Sequence, residues 1–169
     1  MSLGYNGKLY ILAFDHRGSF QKKMFGIEGD PTPEQTEQIS DAKRLIFEGL
    51  LEATAEGVDP HATGCLVDEQ FGTPTRIPEQ AKKNGLLLAM PVEKSGQDEF
   101  DFEYGDDFGA HIEQFDPDFS KVLVRYNPEG DPGMRVSLYW RTAVPSPTVR
   151  GDGSFSDPRP RRGALPPLL

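Results

Sequence analysis

The sequence predicts an α/β fold in which the strands of one parallel sheet alternate with helices. Four short apolar runs show no polar alternation, which indicates strands buried on both faces, as in parallel sheets. Each run gives way at once to charged or amide side chains, at the strand end where parallel α/β proteins carry their functional groups. Helical patterns separate the runs, so we expect strand–helix units with right-handed crossovers. In chain order the four stretches are LYILAFDHRG, GCLVDEQFG, LLLAMPVEKSGQD and KVLVRYNPEG.

Composition indicates one domain of ordinary size. The chain has 169 residues, 27% of them charged, and a mean hydropathy of −0.53. No apolar stretch approaches the roughly 18–20 residues of a membrane span, and the N-terminus has no signal-peptide pattern, so we expect no membrane association. The net charge of −9 argues against nucleic acid as a partner. The single Cys65 excludes an internal disulfide, and we expect an inert thiol in a cytoplasmic protein.

The long helix is the clearest element and follows the first strand, which covers about 9–14. Between them SFQKKMFG forms a short helix or turn that ends at Gly26. Thr32 is a good N-cap, Pro33 suits the first helical position, and Gly57 is a natural end. The predicted buried face, at helical spacing, consists of Ile39, Ala42, Ile46, Leu50 and Ala53, widened by Leu45 and Leu51.

Shorter elements complete the repeat. The second strand covers about 64–67, a small helix covers 77–84, and the third strand follows Gly85 directly. The acidic segment QDEFDFEYGDDF lacks the ligand spacing and central glycine of an EF-hand, so we expect an exposed loop and no metal site. A helix with Phe108, Ile112 and Phe115 on its buried stripe follows, and the fourth strand begins near Lys121.

Four such units fit either a small open sheet or the first half of a (β/α)8 barrel. The turn after the first strand, DHRGSF, is neither a dinucleotide-binding glycine motif nor a P-loop, so we expect no nucleotide cofactor. The three histidines, His16, His61 and His111, show no metal-ligand spacing with cysteine or carboxylates. We expect them to be solvated or hydrogen-bonded.

The character of the chain changes at about Met134. Lys and Glu are absent from residues 134–169, which hold six arginines and six of the fifteen prolines. This composition cannot bury enough apolar surface to order itself, so we expect residues 1–133 to form the domain and 134–169 a disordered tail. The tail is either a basic, proline-rich linker or the product of a reading frame shifted near Gly133 to Val136. Sequencing of the gene distinguishes the two.

The four strand ends resemble those of a known family. AFDHRGSF, LVDEQFG, LLLAMPVEKSGQDEF and KVLVRYNPEGD are similar to motifs of an aldolase-type TIM-barrel domain. That domain occurs fused behind 5-dehydro-2-deoxygluconokinase in bacterial myo-inositol catabolism, and its motifs look like those of class I tagatose 1,6-bisphosphate aldolases. The resemblance covers residues 8 to about 133, and it favours the half-barrel over the open sheet.

The resemblance implies cleavage of a phosphorylated keto sugar through a Schiff base on a lysine, without a cofactor. In the family that lysine comes from later strands, which this sequence lacks. We therefore expect a truncated chain with little or no aldolase activity. Lys94 ends the third strand and would assist at the site, whereas we expect Lys121, at the amino end of the fourth strand, to be structural.

Resemblance also implies roles for the other strand-end residues. Asp15 and Lys94 are the candidate catalytic residues, with Asp15 as an acid/base or hydroxyl-binding group or, alternatively, a carboxylate that orders its loop. Arg17 would pair with a phosphate or a carboxylate, and Asp68 and Glu69 would bind hydroxyls or pair with Arg17 or Arg125. Adjacent strand residues point to opposite faces, so only one of Glu93 and Lys94 should face the interior. The candidate substrate-binding residues are Arg17, Asp68, Glu69, Glu93, Arg125 and Asn127.

A different class of function is also open. A half-barrel has unpaired sheet edges, which invite self-association. The alternative to an aldolase fragment is therefore a non-catalytic interaction or dimerisation module associated with a sugar kinase. No kinase phosphate motif is present in the sequence, so we expect no kinase activity in this chain.

Overall fold

The computed structural model describes residues 5–125, 127–131 and 133, together with the backbone of 148–149 and 155–156. The chain divides into two compact units. The first comprises residues 1–97 and 101–123, and the second comprises 98–100 and 124–169.

The first unit is a parallel sheet with helices, as the sequence predicts. Its elements are β1 Tyr10–Ala13, α1 Gly18–Phe25, α2 Pro33–Ala55, β2 Thr63–Leu66, α3 Glu69–Gly72, α4 Ile77–Lys83, β3 Leu87–Pro91, α5 Phe108–Ile112 and β4 Phe119–Lys121. Two 3₁₀ turns, Pro60–Ala62 and Gly105–Asp107, accompany them. The sheet order is β1-β2-β3-β4, and each neighbouring pair is parallel. The α/β fold class is therefore confirmed.

The main core lies between one face of the sheet and the helices. Leu12, Cys65 and Leu88 are in register across β1, β2 and β3, so their side chains share that face. Cys65 is fully buried, and burial raises the pKa of its thiol to about 12. The expectation of a buried thiol is confirmed, and the raised pKa makes it unreactive near neutral pH. The buried core cluster consists of Phe14, Phe47, Leu50, Cys65, Val67, Ile77, Ala81, Leu86, Leu88 and Met90.

Helix α2 begins where the sequence predicts. The Thr32 side chain accepts a hydrogen bond from the Gln35 backbone N–H, and Gln35 returns one to the Thr32 N–H, which completes a capping box. The predicted buried face of α2 is correct in part. Ile39 and Leu50 are buried as expected, and Ile46 packs against the core. Leu45, however, is 64% exposed, and Lys43 is buried on the packed face. A pattern that counts lysine as polar leaves Lys43 out of this face.

Strand β4 corrects a second expectation. It comprises Phe119–Lys121, so Lys121 closes the strand instead of opening it. The strand lies earlier because Phe119, Ser120 and Lys121 pair with Ala89, Met90 and Pro91, ahead of the more apolar run that follows. Lys121 therefore lies at the carboxyl end of the sheet, where functional side chains are expected.

The second unit contains an antiparallel pair, β5 Thr148–Val149 with β6 Phe155–Ser156. The predicted disorder of 134–169 otherwise falls outside the described residues, and the shifted-frame hypothesis stays a prediction. None of the helices in the described part of the chain combines the length and apolar character that a membrane span requires.

Candidate active site

Three charged side chains converge on the sheet face opposite the main core. Pro91 of β3 is in register with Lys121 of β4, so both point to this face. Asp15 lies two residues beyond Ala13, and Glu93 two residues beyond Pro91, so alternation carries both carboxylates to the same side. The strand ends thus place two carboxylates around one lysine.

The Lys121 amine forms ion pairs with both carboxylates. Its Nζ lies 2.9 Å from Asp15 Oδ2 and 2.7 Å from Glu93 Oε1. Asp15 follows β1 and Lys121 ends β4, the two edge strands, so the ion pair links the two edges of the sheet through the long lysine side chain. The expectation that Lys121 lies at the amino end of its strand is wrong, since β4 ends at Lys121; that its role is structural stays a prediction.

Arg17 joins this group from the loop after β1. Its Nη2 donates to the Glu93 backbone oxygen at 3.0 Å and lies 3.4 Å from Glu93 Oε1, while its Nη1 lies 3.4 Å from Glu103 Oε2. Glu93 is 6% exposed, and its Oε2 has no hydrogen-bond partner among the described residues. We call Asp15, Arg17, Glu93 and Lys121 the Lys121 cluster. One buried acceptor of the cluster remains without a donor.

The ion pairs determine the protonation of Lys121. Burial alone would lower the pKa of its amine, but the hydrogen bonds and charges of Glu93 and Asp15 outweigh burial and raise the pKa above 10.5. The amine is therefore a cation at neutral pH. It acts as a fixed positive charge and hydrogen-bond donor.

Asp68 is held by a lysine that lies outside the predicted site. Lys43 Nζ donates to Asp68 Oδ1 and, at 2.8 Å, to the Phe14 backbone oxygen. Asp68 Oδ2 accepts from the Phe71 N–H at 2.9 Å and so caps α3. Asp68 is fully buried and Lys43 is 1% exposed. The partner of Asp68 is therefore Lys43 and neither Arg17 nor Arg125, and both carboxylate oxygens are engaged.

The carboxylate of Glu69, the residue after Asp68, contacts two aromatic side chains. Its Oε2 accepts from the Tyr104 hydroxyl at 2.9 Å and lies 2.8 Å from His111 Nε2. The Tyr104 and His111 rings stack with centroids 3.5 Å apart. Burial, then the hydrogen bond to Glu69, raises the pKa of Tyr104 to about 12. We call Glu69, Tyr104 and His111 the Glu69 cluster; the prediction that His111 is solvated or hydrogen-bonded is confirmed.

A cavity of about 710 Å³ lies beside the Glu69 cluster, and Lys94 lies on its wall with Arg17, Glu69, Tyr104 and His111. The Lys94 side chain is exposed, and its amine has no ion-pair or hydrogen-bond partner among the described residues. Glu93, by contrast, is buried against Lys121. The two neighbours therefore differ in surroundings, with Glu93 in the Lys121 cluster and Lys94 free to meet a ligand.

The last two candidate residues belong to the second unit. Arg125 Nη1 lies 3.3 Å from Asp98 Oδ1, with both side chains largely exposed. The Asn127 side chain accepts from the Glu129 N–H at 3.0 Å. Their predicted role in binding substrate stays a prediction. Within the described residues, no group of three or more His, Cys, Asp or Glu side chains is arranged to hold a metal ion.

Comparison with protein families places the chain. A family model described as "Uncharacterized protein conserved in bacteria (DUF2090)" matches residues 4–140. The chain belongs to this family. No solved structure is significantly similar to this DUF2090 chain.

Several curated relatives carry the name of one enzyme. The DUF2090 chain is 38% identical over 94 residues to tagatose 1,6-diphosphate aldolase 2 of Streptococcus agalactiae serotype III (strain NEM316), covering 55% of this chain and 24% of that protein. It is 30% identical over 128 residues to tagatose 1,6-diphosphate aldolase of Listeria monocytogenes serotype 4a (strain HCC23), covering 73% and 34%. It is also 30% identical over 132 residues to tagatose 1,6-diphosphate aldolase 1 of Streptococcus mutans serotype c, which covers 75% of this chain and 36% of that protein. The predicted resemblance to tagatose aldolases is confirmed, and the chain spans between a quarter and about a third of these relatives' length.

Proposed function

We propose that this chain supplies part of an aldolase-type active site that binds a phosphorylated keto sugar. The observation that carries the proposal is the position of the Lys121 amine, which lies between Asp15 and Glu93 at the carboxyl end of the sheet. Relatives named tagatose 1,6-diphosphate aldolase give the substrate class. The same relatives favour carbohydrate metabolism as the setting. The specific pathway that we propose, myo-inositol breakdown, is the one that the resemblance of the sequence motifs implies.

The charges of the site fit a sugar phosphate. The Lys94 amine is unpaired among the described residues and lies on the cavity wall with Arg17; both cations attract a phosphate. Among the described residues the Glu93 Oε2 has no hydrogen-bond donor, and a sugar hydroxyl that reached it would supply one. The site therefore offers an anion-binding side and a hydroxyl-binding side.

The Lys121 amine is unsuited to form the Schiff base. A Schiff base forms from the neutral amine, whereas Asp15 and Glu93 raise the pKa of Lys121 and keep it protonated. We assign Lys121 the role of holding charge and orienting the two carboxylates. The imine-forming lysine would then come from later strands of a complete barrel, so the chain alone is expected to bind substrate without cleaving it. The four parallel strands in the order β1-β2-β3-β4 support the first half of a (β/α)8 barrel as the proposed architecture.

Calorimetric titration of tagatose 1,6-bisphosphate into the chain at neutral pH tests this function. The wild type is expected to bind with a Kd below about 1 mM, and Lys121→Met should weaken binding at least about tenfold, equivalent to about 1.4 kcal/mol. Lys82→Met is the matched control, because Lys82 pairs with the exposed Asp116 away from the cluster. No triose phosphate should form in either case.

Three outcomes would contradict the proposal. The first is an absence of binding by the wild type. The second is equal affinity of the Lys121→Met variant and the wild type. Cleavage of the sugar with borohydride trapping on Lys94 would overturn the assignment of a non-catalytic fragment.

An interaction module is the second candidate, and the open sheet edges favour it. On β1, an edge strand, Tyr10 is 62% exposed, and beyond β4 Leu123 is 53% exposed. Edge strands present unpaired backbone groups to other chains. The proposed partner is a second copy of the chain or the sugar kinase that the sequence resemblance implies. The proposed setting is cytoplasmic, which agrees with the single buried thiol.

Self-association is expected to depend on the exposed edge of β1. Sedimentation velocity over an about hundredfold range of protein concentration should show a concentration-dependent dimer. Ile11→Lys places a charge on β1 and should shift the chain to monomer, because charged edges resist strand pairing. A monomer at every concentration would rule out self-association as the function.

A further inference from the structure

We propose that Lys43 is a positioning residue that ties together the loops after β1 and β2. Lys43 lies in the middle of α2, a helix to which the sequence assigns no functional role. The two loops carry the Lys121 cluster and the Glu69 cluster, which form the site of the proposed function. Any effect of Lys43 on sugar binding therefore rests on that proposed function.

The contacts of Lys43 reach both loops at once. Its Nζ donates to the Phe14 backbone oxygen at 2.8 Å and to Asp68 Oδ1. Lys43 itself is only 1% exposed. The amine also lies over two aromatic rings, 5.9 Å from the Phe20 centroid and 5.5 Å from the Phe71 centroid. One buried cation thus holds atoms from α1, α3 and the ends of β1 and β2.

On the β1 side the contact fixes a peptide group next to the Lys121 cluster. The Phe14 carbonyl and the Asp15 N–H belong to one planar peptide unit. A hydrogen bond from Lys43 to that carbonyl therefore orients the backbone from which the Asp15 side chain projects. Asp15 Oδ2 in turn lies 2.9 Å from Lys121 Nζ.

On the β2 side the contact fixes the start of α3. Asp68 bonds Lys43 through Oδ1 and the Phe71 N–H through Oδ2, so its side chain cannot rotate without losing one of them. Glu69 is the first residue of α3, directly after this cap. Its Oε2 is hydrogen-bonded to both Tyr104 and His111, so the cap at Asp68 sets the position of the Glu69 cluster.

Stability alone does not explain a buried ion pair here. Burial lowers the pKa of Lys43, which records the cost of desolvating its charge, and Asp68 only partly offsets that cost. An apolar side chain would fill the same space among Phe14, Phe20 and Phe71 at no such cost. What an apolar side chain cannot supply is a pair of directed hydrogen bonds that fixes two loops relative to each other.

The Lys43→Met/Asp68→Asn double variant tests the positioning role. It removes one positive and one negative charge together, so the direct electrostatic effect on distant groups largely cancels. Asn still caps α3, so the fold is expected to survive. With the Phe14 oxygen released, Asp15 should move away from Lys121, and the raised pKa of Lys121 should fall towards its ordinary value in an NMR titration of the lysine side chain. The Kd for tagatose 1,6-bisphosphate should rise at least about tenfold.

The control and the opposing outcomes separate positioning from folding. The Lys82→Met/Asp116→Asn variant removes an exposed pair and should leave the Lys121 titration and the Kd unchanged. A folded Lys43→Met/Asp68→Asn variant with an unaltered Lys121 titration would refute the positioning role. If that variant did not fold, Asp68→Asn alone is measured through Tyr104, whose hydroxyl bonds Glu69: a fall in the raised pKa of Tyr104 would support the positioning role, and an unchanged Tyr104 titration would refute it. Failure of the wild type to bind the sugar would count against the proposed function only, since the titrations decide the role of Lys43 independently.

Discussion

Lys43→Met alone is expected to lower the free energy of unfolding by about 3–5 kcal/mol. The substitution leaves the Asp68 carboxylate fully buried, and among the described residues only the Phe71 N–H still donates to it. A buried charge without its counterion has a desolvation cost that nothing offsets. Because whole domains are stable by about 5–15 kcal/mol, thermal and urea melts should show a large loss.

Two comparisons check the cause of this loss. Lys82→Met breaks an ion pair whose side chains are 39% and 86% exposed, and it should cost only about 0–1 kcal/mol. Adding Asp68→Asn to Lys43→Met should restore much of the stability, because it removes the uncompensated charge. A loss below about 1 kcal/mol for Lys43→Met would show that Asp68 is not a buried anion.

Phe47→Ala should be comparably destabilising, by about 3–5 kcal/mol, through a different mechanism. Phe47 is 1% exposed and packs from α2 into the main core with Phe14, Cys65 and Leu88. Removing the ring leaves a cavity that close-packed neighbours fill only in part. Chemical denaturation with an unchanged dependence on denaturant concentration is the appropriate measurement.

Leu45→Ala is the matched control on the same helix. Leu45 is two residues away but 64% exposed, so its truncation should change stability by no more than about 0.5 kcal/mol. Equal losses for the two variants would contradict the orientation of α2. The pair also decides between this orientation and the face inferred from apolar spacing, which counted Leu45 as buried.

Local signals in the sequence account for the elements that were predicted correctly. Thr32 and Pro33 mark the start of α2 because capping and a fixed backbone angle act within one turn. The four apolar runs give the parallel strands because strands buried on both faces need no polar alternation. Asp15, Arg17 and Glu93 were found as candidates because each follows such a run.

The residues that were missed depend on contacts distant in sequence. Lys121 and Asp15 are separated by 106 positions, and Lys43 and Asp68 by 25. Hydropathy marks both lysines as surface residues, so only a three-dimensional arrangement reveals them as buried or half-buried partners. The Glu69 cluster was likewise hidden, since nothing local links Glu69 to Tyr104 and His111. The signal available for Lys43 is its position between Ile39 and Phe47 at a spacing of four, which puts it on the apolar face of α2, although this spacing does not name its partner.

An NMR titration of the wild-type chain with tagatose 1,6-bisphosphate most directly tests whether the Lys121 cluster is a sugar-phosphate site. We predict saturable shifts of the Asp15, Glu93 and Lys121 signals, with smaller ones at Lys94 and Arg17 on the cavity wall. Signals of Lys82 and Asp116 should stay in place. Shifts confined to residues outside the cluster, or none at millimolar ligand, would contradict the assignment of this site.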